Sequence, residues 1–124
     1  MVADRPLVVV DAANVVGSVP DGWWRDRFAA TERLRDALAP MAQSGIGDCP
    51  GPVDLLLVVE GAAREVPGIP GVRVVAAPGD GDDTVVEVVR RADRRCLVVT
   101  ADRRLRDRVV RLGAEVVGPS AVRG

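Results

Sequence analysis

The apolar residues of this chain fall into short runs rich in Val and Leu, separated by segments with helical spacing. These runs predict five β-strands, at residues 7–12, 53–59, 72–77, 96–100 and 115–117. Each of the first four runs contains consecutive Val residues, at 8–10, 58–59, 74–75 and 98–99, so polar and apolar residues do not simply alternate. Continuous runs are typical of strands buried on both faces, as in a parallel sheet covered by helices.

Three helices are predicted between these strands. The first begins at a cap formed by Asp21 or Asp26 and continues to about residue 42. The second runs from near Asp82 to about residue 93. The third runs from Asp102 to about residue 112, where Gly113 favours termination.

The order of strands and helices predicts a single domain over residues 1–124, with three α/β/α layers and a mostly parallel five-stranded sheet of Rossmann-like type. Residues 44–52 are rich in Gly and Pro and predict a loop, and the residues after 117 predict a tail. No apolar run approaches the ~20 residues that a membrane span needs, and the first residues lack the pattern of a secretory signal. We therefore expect a cytoplasmic protein with no membrane association.

The composition excludes several kinds of catalytic chemistry. The chain has 124 residues with no His and no Tyr, and all 17 of its cationic residues are Arg. Without His there is no Ser-His-Asp or Cys-His mechanism, and without Lys there is neither a Schiff base nor a Walker A phosphate loop. Carboxylates are therefore the side chains that remain for acid-base or metal chemistry.

Six acidic residues directly follow predicted strands or begin predicted helices. They are Asp11, Glu60, Asp80, Asp82, Asp83 and Asp102. Because the carboxyl ends of parallel strands meet at one edge of a sheet, where ligands bind, we expect these acids to lie together. If the fourth strand lies beside the first, Asp11 and Asp102 face each other there. Carboxylate oxygens suit Mg²⁺ or Mn²⁺, which can activate a water and stabilise charge on a phosphate.

Each acid also has a purely structural interpretation. Asp82, Asp83 and Asp102 are at positions where Asp is a favourable helix cap or first-turn residue. Asp11 is harder to explain in this way, because an unpaired charge at the end of a buried strand is costly. Asn14 either positions Asp11, contacts a substrate phosphate or serves as a turn residue. The shared placement of the acids at one edge favours the functional interpretation.

The charge of the chain is unevenly distributed. The segment from Arg90 to Arg111 holds nine Arg and three Asp, a local charge of +6, whereas the whole chain has a net charge of -1. These arginines either bind phosphates or solvate two helix faces. Arg103 and Arg104 directly follow Asp102, and we expect them to contact substrate.

The Trp23–Trp24 pair could stack on bases, anchor a partner or cover the sheet. We expect one ring to be buried and the other to be partly exposed, and we assign neither to binding.

Three segments match the motifs of a known family. They are Asp11-Ala12-Ala13-Asn14, Asp82-Asp83-Thr84-Val85-Val86-Glu87 and Val98-Val99-Thr100-Ala101-Asp102. The first resembles the Asp-x-x-Asn signature of the NYN domains, which belong to the PIN-like ribonuclease superfamily. The second resembles the paired-Asp helix start of that family, and the third resembles its final strand motif. The similarity is greatest to the bacterial YacP-like branch.

This resemblance implies a PIN-like fold and metal-dependent hydrolysis of RNA. Carried over by position, Asp11, Asp83 and Asp102 would be ligands of Mg²⁺ or Mn²⁺, with Asp82 and Asn14 in support. The weaker candidates for the metal are Asp82, Asp80 and Glu60, of which Glu60 has no fixed counterpart in the family and is included for its position after a strand. The resemblance therefore predicts a ribonuclease with RNA as its partner.

Two other functions remain open at this stage. One is a non-catalytic PIN-like module that binds RNA or a protein, and the other is a metal-dependent nucleotide pyrophosphatase or phosphatase acting at the same acidic site. The sequence also leaves open a homodimer and a protein regulator.

Overall fold

In the computed structural model, which describes residues 5–123, the Val-rich runs form a five-stranded sheet in which every neighbouring pair of strands is parallel. A separate pair of two-residue strands lies outside this sheet. The strands are β1 (Leu7–Asp11), β2 (Gly45–Ile46), β3 (Cys49–Pro50), β4 (Asp54–Val59), β5 (Val72–Ala76), β6 (Cys96–Val99) and β7 (Glu115–Val117). The main sheet has the order β5-β4-β1-β6-β7.

Helices cover both faces of this sheet. They are α1 (Ala12–Val16), α2 (Arg27–Leu38), α3 (Met41–Ser44), α4 (Gly81–Arg91), α5 (Arg103–Val110) and α6 (Ser120–Arg123), with short 3-10 turns at Trp23–Arg25 and Gly61–Ala63. Among the described residues, no helix is both long enough and apolar enough to cross a membrane.

The central strand β1 separates two hydrophobic cores. Val8 and Val10 pack in one core with residues of α1 and α2. Val9 lies in the other core, with residues of α4 and α5. All five residues of β1 are buried, and full burial of one Val contributes about 1.5–3 kcal/mol relative to exposure. The continuous Val run thus produces the three-layer α/β/α arrangement that the sequence predicts.

Helix caps move several boundaries away from the predicted ones. The first strand ends at Asp11 instead of residue 12, because the Asp11 side chain caps α1, a five-residue helix too short to show periodicity. The first predicted helix begins after the Asp26 cap but stops at Leu38. It does not continue unbroken to residue 42, because the Pro40 ring has no N–H to donate to a helix.

Two segments predicted as irregular contain short regular elements. Within residues 44–52, β2 pairs with β3. This turn requires glycine at Gly45, where φ is +90° and a Cβ would collide with the backbone carbonyl of Cys49. After residue 117 the chain forms α6, where a tail is predicted.

The topology positions a crevice at the carboxyl end of β1. The chain moves from β1 to β4 and β5 on one side, and then returns to β6 and β7 on the other. Strand order therefore reverses between β1 and β6, and such switch points are where open α/β sheets bind ligands.

Candidate active site

The carboxylate of Asp11 is buried at the end of the central strand, with the residue only 4% exposed. The backbone N–H of Asn14 approaches its Oδ1 at 3.5 Å, and the hydroxyl of Thr100 donates to its Oδ2 at 3.1 Å. Burial raises the pKa of Asp11 to about 6, against these two hydrogen bonds, and the charges of Asp82 and Glu60 raise it further. The protein therefore stabilises the charged form of Asp11 poorly.

Thr100 connects Asp11 to the next acid at this edge. Its hydroxyl oxygen accepts the backbone N–H of Asp102 at 3.1 Å while its proton goes to Asp11. The Oδ1 of Asp102 in turn caps α5 by accepting the backbone N–H groups of Arg104 (2.9 Å) and Leu105 (3.1 Å). Asp102 thus caps α5, and its backbone is joined to Asp11 through the Thr100 hydroxyl.

The side chain of Asn14 stabilises the loop at the same edge of the sheet. Its Oδ1 accepts the backbone N–H of Ala101 at 2.7 Å, which joins α1 to the loop after β6. The side chain therefore fixes the loop that carries Asp102, and the contact of Asn14 with Asp11 is made by its backbone.

The acids after β4 and β5 come together at the start of α4. Glu60 Oε2 accepts the backbone N–H of Gly81 at 2.7 Å, and Asp80 caps the helix by accepting the N–H of Asp82 at 2.8 Å. Burial raises the pKa of Asp82, and so do the charges of Asp80, Asp102 and Glu60, whereas Arg108 lowers it. The charge of Asp82 in turn raises the pKa of Asp11.

Asp83, the other member of the predicted pair, is more exposed and has a different partner. Its side chain is 78% exposed and accepts a hydrogen bond from Arg108 of α5 at 2.9 Å. Successive helix residues are rotated by about 100°, so the two side chains leave α4 in different directions. Three other acids act on Asp82 by charge, whereas the partner of Asp83 is Arg108. From here on, the acid cluster means Asp11, Glu60, Asp80, Asp82 and Asp102.

Arg103 and Arg104 begin α5 beside the acid cluster and are exposed. Among residues 5–123, neither forms a salt bridge, and the same holds for Arg106 and Arg111. The other five arginines of the basic segment are each paired with an acid; they are Arg90, Arg91, Arg94, Arg95 and Arg108. The arginines without a salt bridge in this segment therefore concentrate on and just after α5, next to Asp102.

The donor chemistry of the acid cluster suits a hard divalent cation. Its members are oxygen ligands, and the charges of neighbouring acids raise the pKa of Asp11 and of Asp82; a bound cation would relieve that repulsion. As the side chains stand, however, no three acidic or thiol groups within residues 5–123 lie close enough to hold a metal ion together. Metal binding would therefore require side-chain rearrangement within the cluster.

Two features of this region are absent from the predicted site. Thr100 is one, and the sequence signal for it is its position between the end of a buried strand and Asp102. The other is a pocket between α1 and α2 that is lined in part by Trp23, Arg27 and Glu60. Trp23 is half-buried against the core, while Trp24 is 54% exposed.

Solved structures with the same fold are known. The structure of Rae1 (YacP) from Bacillus subtilis matches with a TM-score of 0.71 at 15% sequence identity, over 93% of this chain and 70% of that chain. A point mutant of the same protein matches over the same shares with a TM-score of 0.69 at 14% identity. No protein-family model and no curated protein sequence matches this chain. The chain therefore has the PIN-like, YacP-like fold that its motifs predict. Neither the fold nor these comparisons supports the homodimer or the protein regulator.

Proposed function

We propose that this domain, whose fold is of the ribonuclease type, hydrolyses RNA phosphodiester bonds with Mg²⁺ or Mn²⁺ at the acid cluster. The observation that carries the proposal is the burial of Asp11 at the end of the central strand, where the charges of Asp82 and Glu60 act on it and Thr100 joins it to the backbone of Asp102. A purely structural role would not explain this arrangement, because uncompensated buried carboxylates destabilise a fold.

We assign the metal to Asp11, Asp82 and Asp102, with Glu60 and Asp80 at the border of the site. A bound divalent ion would supply an activated water and stabilise negative charge on the phosphate under attack. Asp82 takes the place that the family motif gives to Asp83, because Asp82 lies among the acids and Asp83 faces Arg108.

Other residues of the chain act by holding these acids and the substrate. Thr100 fixes the spacing of Asp11 and Asp102 through its two hydrogen bonds. Asn14 holds the loop before α5 in place through Ala101. Arg103 and Arg104 are exposed beside the acids, where a guanidinium can bind a phosphate in a bidentate manner.

The test compares two neighbouring residues of α4. Asp82→Asn should lower the rate of cleavage of a short RNA in Mn²⁺ by at least ~100-fold, since loss of even an outer-shell partner costs about 10–100-fold. Asp83→Asn is the matched control and should keep most of the activity, because that side chain is exposed and outside the cluster. Asp11→Asn and Asp102→Asn should behave as Asp82→Asn does.

Three results would contradict this proposal. They are cleavage that persists in EDTA, cleavage that survives in both Asp11→Asn and Asp102→Asn, and loss of activity in Asp83→Asn alone. Circular dichroism of each variant separates loss of chemistry from loss of fold.

A non-catalytic RNA-binding module is the second candidate. It is favoured by one observation, namely that no three acids of the described residues are close enough to bind a metal together as they stand. This candidate predicts that the protein retains RNA in a filter-binding assay but does not hydrolyse it at any concentration of Mg²⁺ or Mn²⁺. A further comparison, of turnover of a short RNA with that of nucleoside triphosphates, separates a ribonuclease from a nucleotide pyrophosphatase or phosphatase.

A further inference from the structure

A small pocket lies directly beside the acid cluster, between α1 and α2. Its walls include Ala12 and Ala13, which follow Asp11 in the chain, and Glu60, which belongs to the cluster itself. Trp23 and Arg27 line it as well. The pocket and the acid cluster thus share Glu60 as a common wall.

Two flat side chains give this pocket its chemical character. The Arg27 guanidinium lies over the Trp23 ring, 5.1 Å from its centroid, and the Trp24 ring meets Trp23 edge to face at 5.9 Å. Trp23 also packs against the hydrophobic core, which holds its ring in place. Indole and guanidinium planes are the surfaces on which nucleobases stack.

The size and the charge of the pocket restrict what it can hold. Its volume is about 110 Å³, well below the ~300–1,000 Å³ of pockets that enclose a complete small-molecule ligand. It can therefore accept one ring system but not a whole nucleotide. A phosphate inside it would lie against the carboxylate of Glu60, which disfavours an anion there.

We infer that this pocket receives a nucleobase of the RNA strand next to the phosphate held at the acid cluster. The inference rests on the proposed function, because it takes the acid cluster as the place where the scissile phosphate lies. The sugar and phosphate of that nucleotide stay outside the pocket, and the base stacks in it against Trp23 or Arg27. Trp23 then contributes to substrate binding, a role that the sequence did not assign to it.

The tryptophan content of the chain allows a direct binding test. The chain has two Trp and no Tyr, so Trp24→Phe leaves Trp23 as the single strong fluorophore. In EDTA, adenosine monophosphate and a short RNA should quench the fluorescence of Trp24→Phe in a saturable manner, because a stacked base quenches an indole. Ribose 5-phosphate should not quench it, since it has the sugar and phosphate but lacks a base.

The complementary variant provides the matched control. Trp23→Phe leaves Trp24 as the reporter, and its fluorescence should show no saturable quenching by either ligand. The inference is overturned if ribose 5-phosphate quenches as well as the nucleotide, if the saturable quenching belongs to Trp24, or if none occurs. Quenching of Trp23 by an apolar peptide but not by nucleotides would also overturn it, by identifying a protein side chain as the occupant.

Cleavage kinetics distinguish a failure of this inference from a failure of the proposed function. Trp23→Leu should raise KM for RNA about tenfold, in keeping with the usual effect of removing a stacking side chain, with a smaller change in kcat. An abasic site at the nucleotide flanking the cleaved bond should raise KM for the wild type and leave that of Trp23→Leu unchanged. Arg27→Gln, at an exposed position, provides a second variant if Trp23→Leu does not fold.

The two failures give different patterns of results. If RNA is cleaved but KM responds neither to these variants nor to the abasic site, the pocket is not a base site and the ribonuclease proposal stands. If RNA is not cleaved at all, the fluorescence titration still decides whether a base binds beside Trp23.

Discussion

Replacement of Asp11 by Asn should stabilise the protein more at neutral pH than at acidic pH. Burial raises the pKa of Asp11 in the native state from 3.8 to about 6. Between these two values the native state holds a proton that the unfolded state has lost, so the free energy of unfolding falls as the pH rises. Below pH 3.8 the group is protonated in both states, and above pH 6 the full penalty of the buried charge is present.

The size of this penalty follows from the shift itself. A rise from 3.8 to about 6 corresponds to about 3 kcal/mol, at 1.36 kcal/mol for each pKa unit. Solvent screening reduces it little, because the residue is only 4% exposed. Asn has nearly the shape of Asp, carries no charge and keeps an acceptor oxygen for the Thr100 hydroxyl. Any constant effect of the new amide cancels when the same two proteins are compared across pH.

Urea unfolding measures the pH dependence of the free energy of unfolding. It is carried out in EDTA and followed by circular dichroism, at several pH values between about pH 4 and pH 7. The free energy of unfolding of Asp11→Asn minus that of the wild type should rise by about 2–3 kcal/mol across this range, since a small part of the penalty is already present at pH 4. Asp83→Asn is the control for removal of an exposed carboxylate from the same region. A flat difference for Asp11→Asn would refute the reasoning, since it would mean that Asp11 is not destabilised by burial. Addition of Mn²⁺ should then stabilise the wild type more than Asp11→Asn, because only the native wild type offers the full ligand set.

Three further predictions concern the neighbours of Asp11 and the core. Thr100→Val should raise the pKa of Asp11, because the Thr100 hydrogen bond lowers it. The fall of the free energy of unfolding with pH should then extend to higher pH, and an unchanged pH range in the same urea series would contradict this role of Thr100. Asp102→Ala should cost about 1 kcal/mol through loss of the α5 cap, while Asp102→Asn should keep the cap; equal thermal stability of the two variants would contradict a capping role. Leu57→Ala should cost about 2–5 kcal/mol in urea unfolding, because Leu57 is fully buried at the centre of the sheet; a loss below about 1 kcal/mol would show that the site repacks.

Much of the fold can be read from local sequence patterns. The Val runs predict strands, and their continuity predicts the two cores, because residues that alternate along β1 enter opposite faces of one buried sheet. The sequence predicts that Asp11 and Asp102 share one edge only if the fourth predicted strand lies beside the first. The pairing of β1 with β6 meets this condition.

The site is less predictable, because it depends on helix phase. The cap of α4 is Asp80 and the helix starts at Gly81, in keeping with the predicted start near Asp82. A start known only to within a residue or two does not say which way Asp82 and Asp83 point, because successive helix residues are rotated by about 100°. No local pattern marks the pocket either, because Ala12, Trp23 and Glu60 come from separate segments that meet only in the folded chain.

The hydrogen bonds that cap the helices also limit how each carboxylate can rotate. Glu60, Asp80 and Asp102 each engage one oxygen with backbone N–H groups. Within residues 5–123, the second oxygen of each makes no hydrogen bond to the protein. Each acid is therefore anchored at one oxygen, so much of its rotational entropy is already lost on folding. Ordering a free side chain on binding costs about 0.5–1.5 kcal/mol, and for these acids part of that cost falls on folding instead. A metal at the proposed site would still need the acids to move closer together, so the helix caps lower the entropic cost of binding and also limit how far each carboxylate can move.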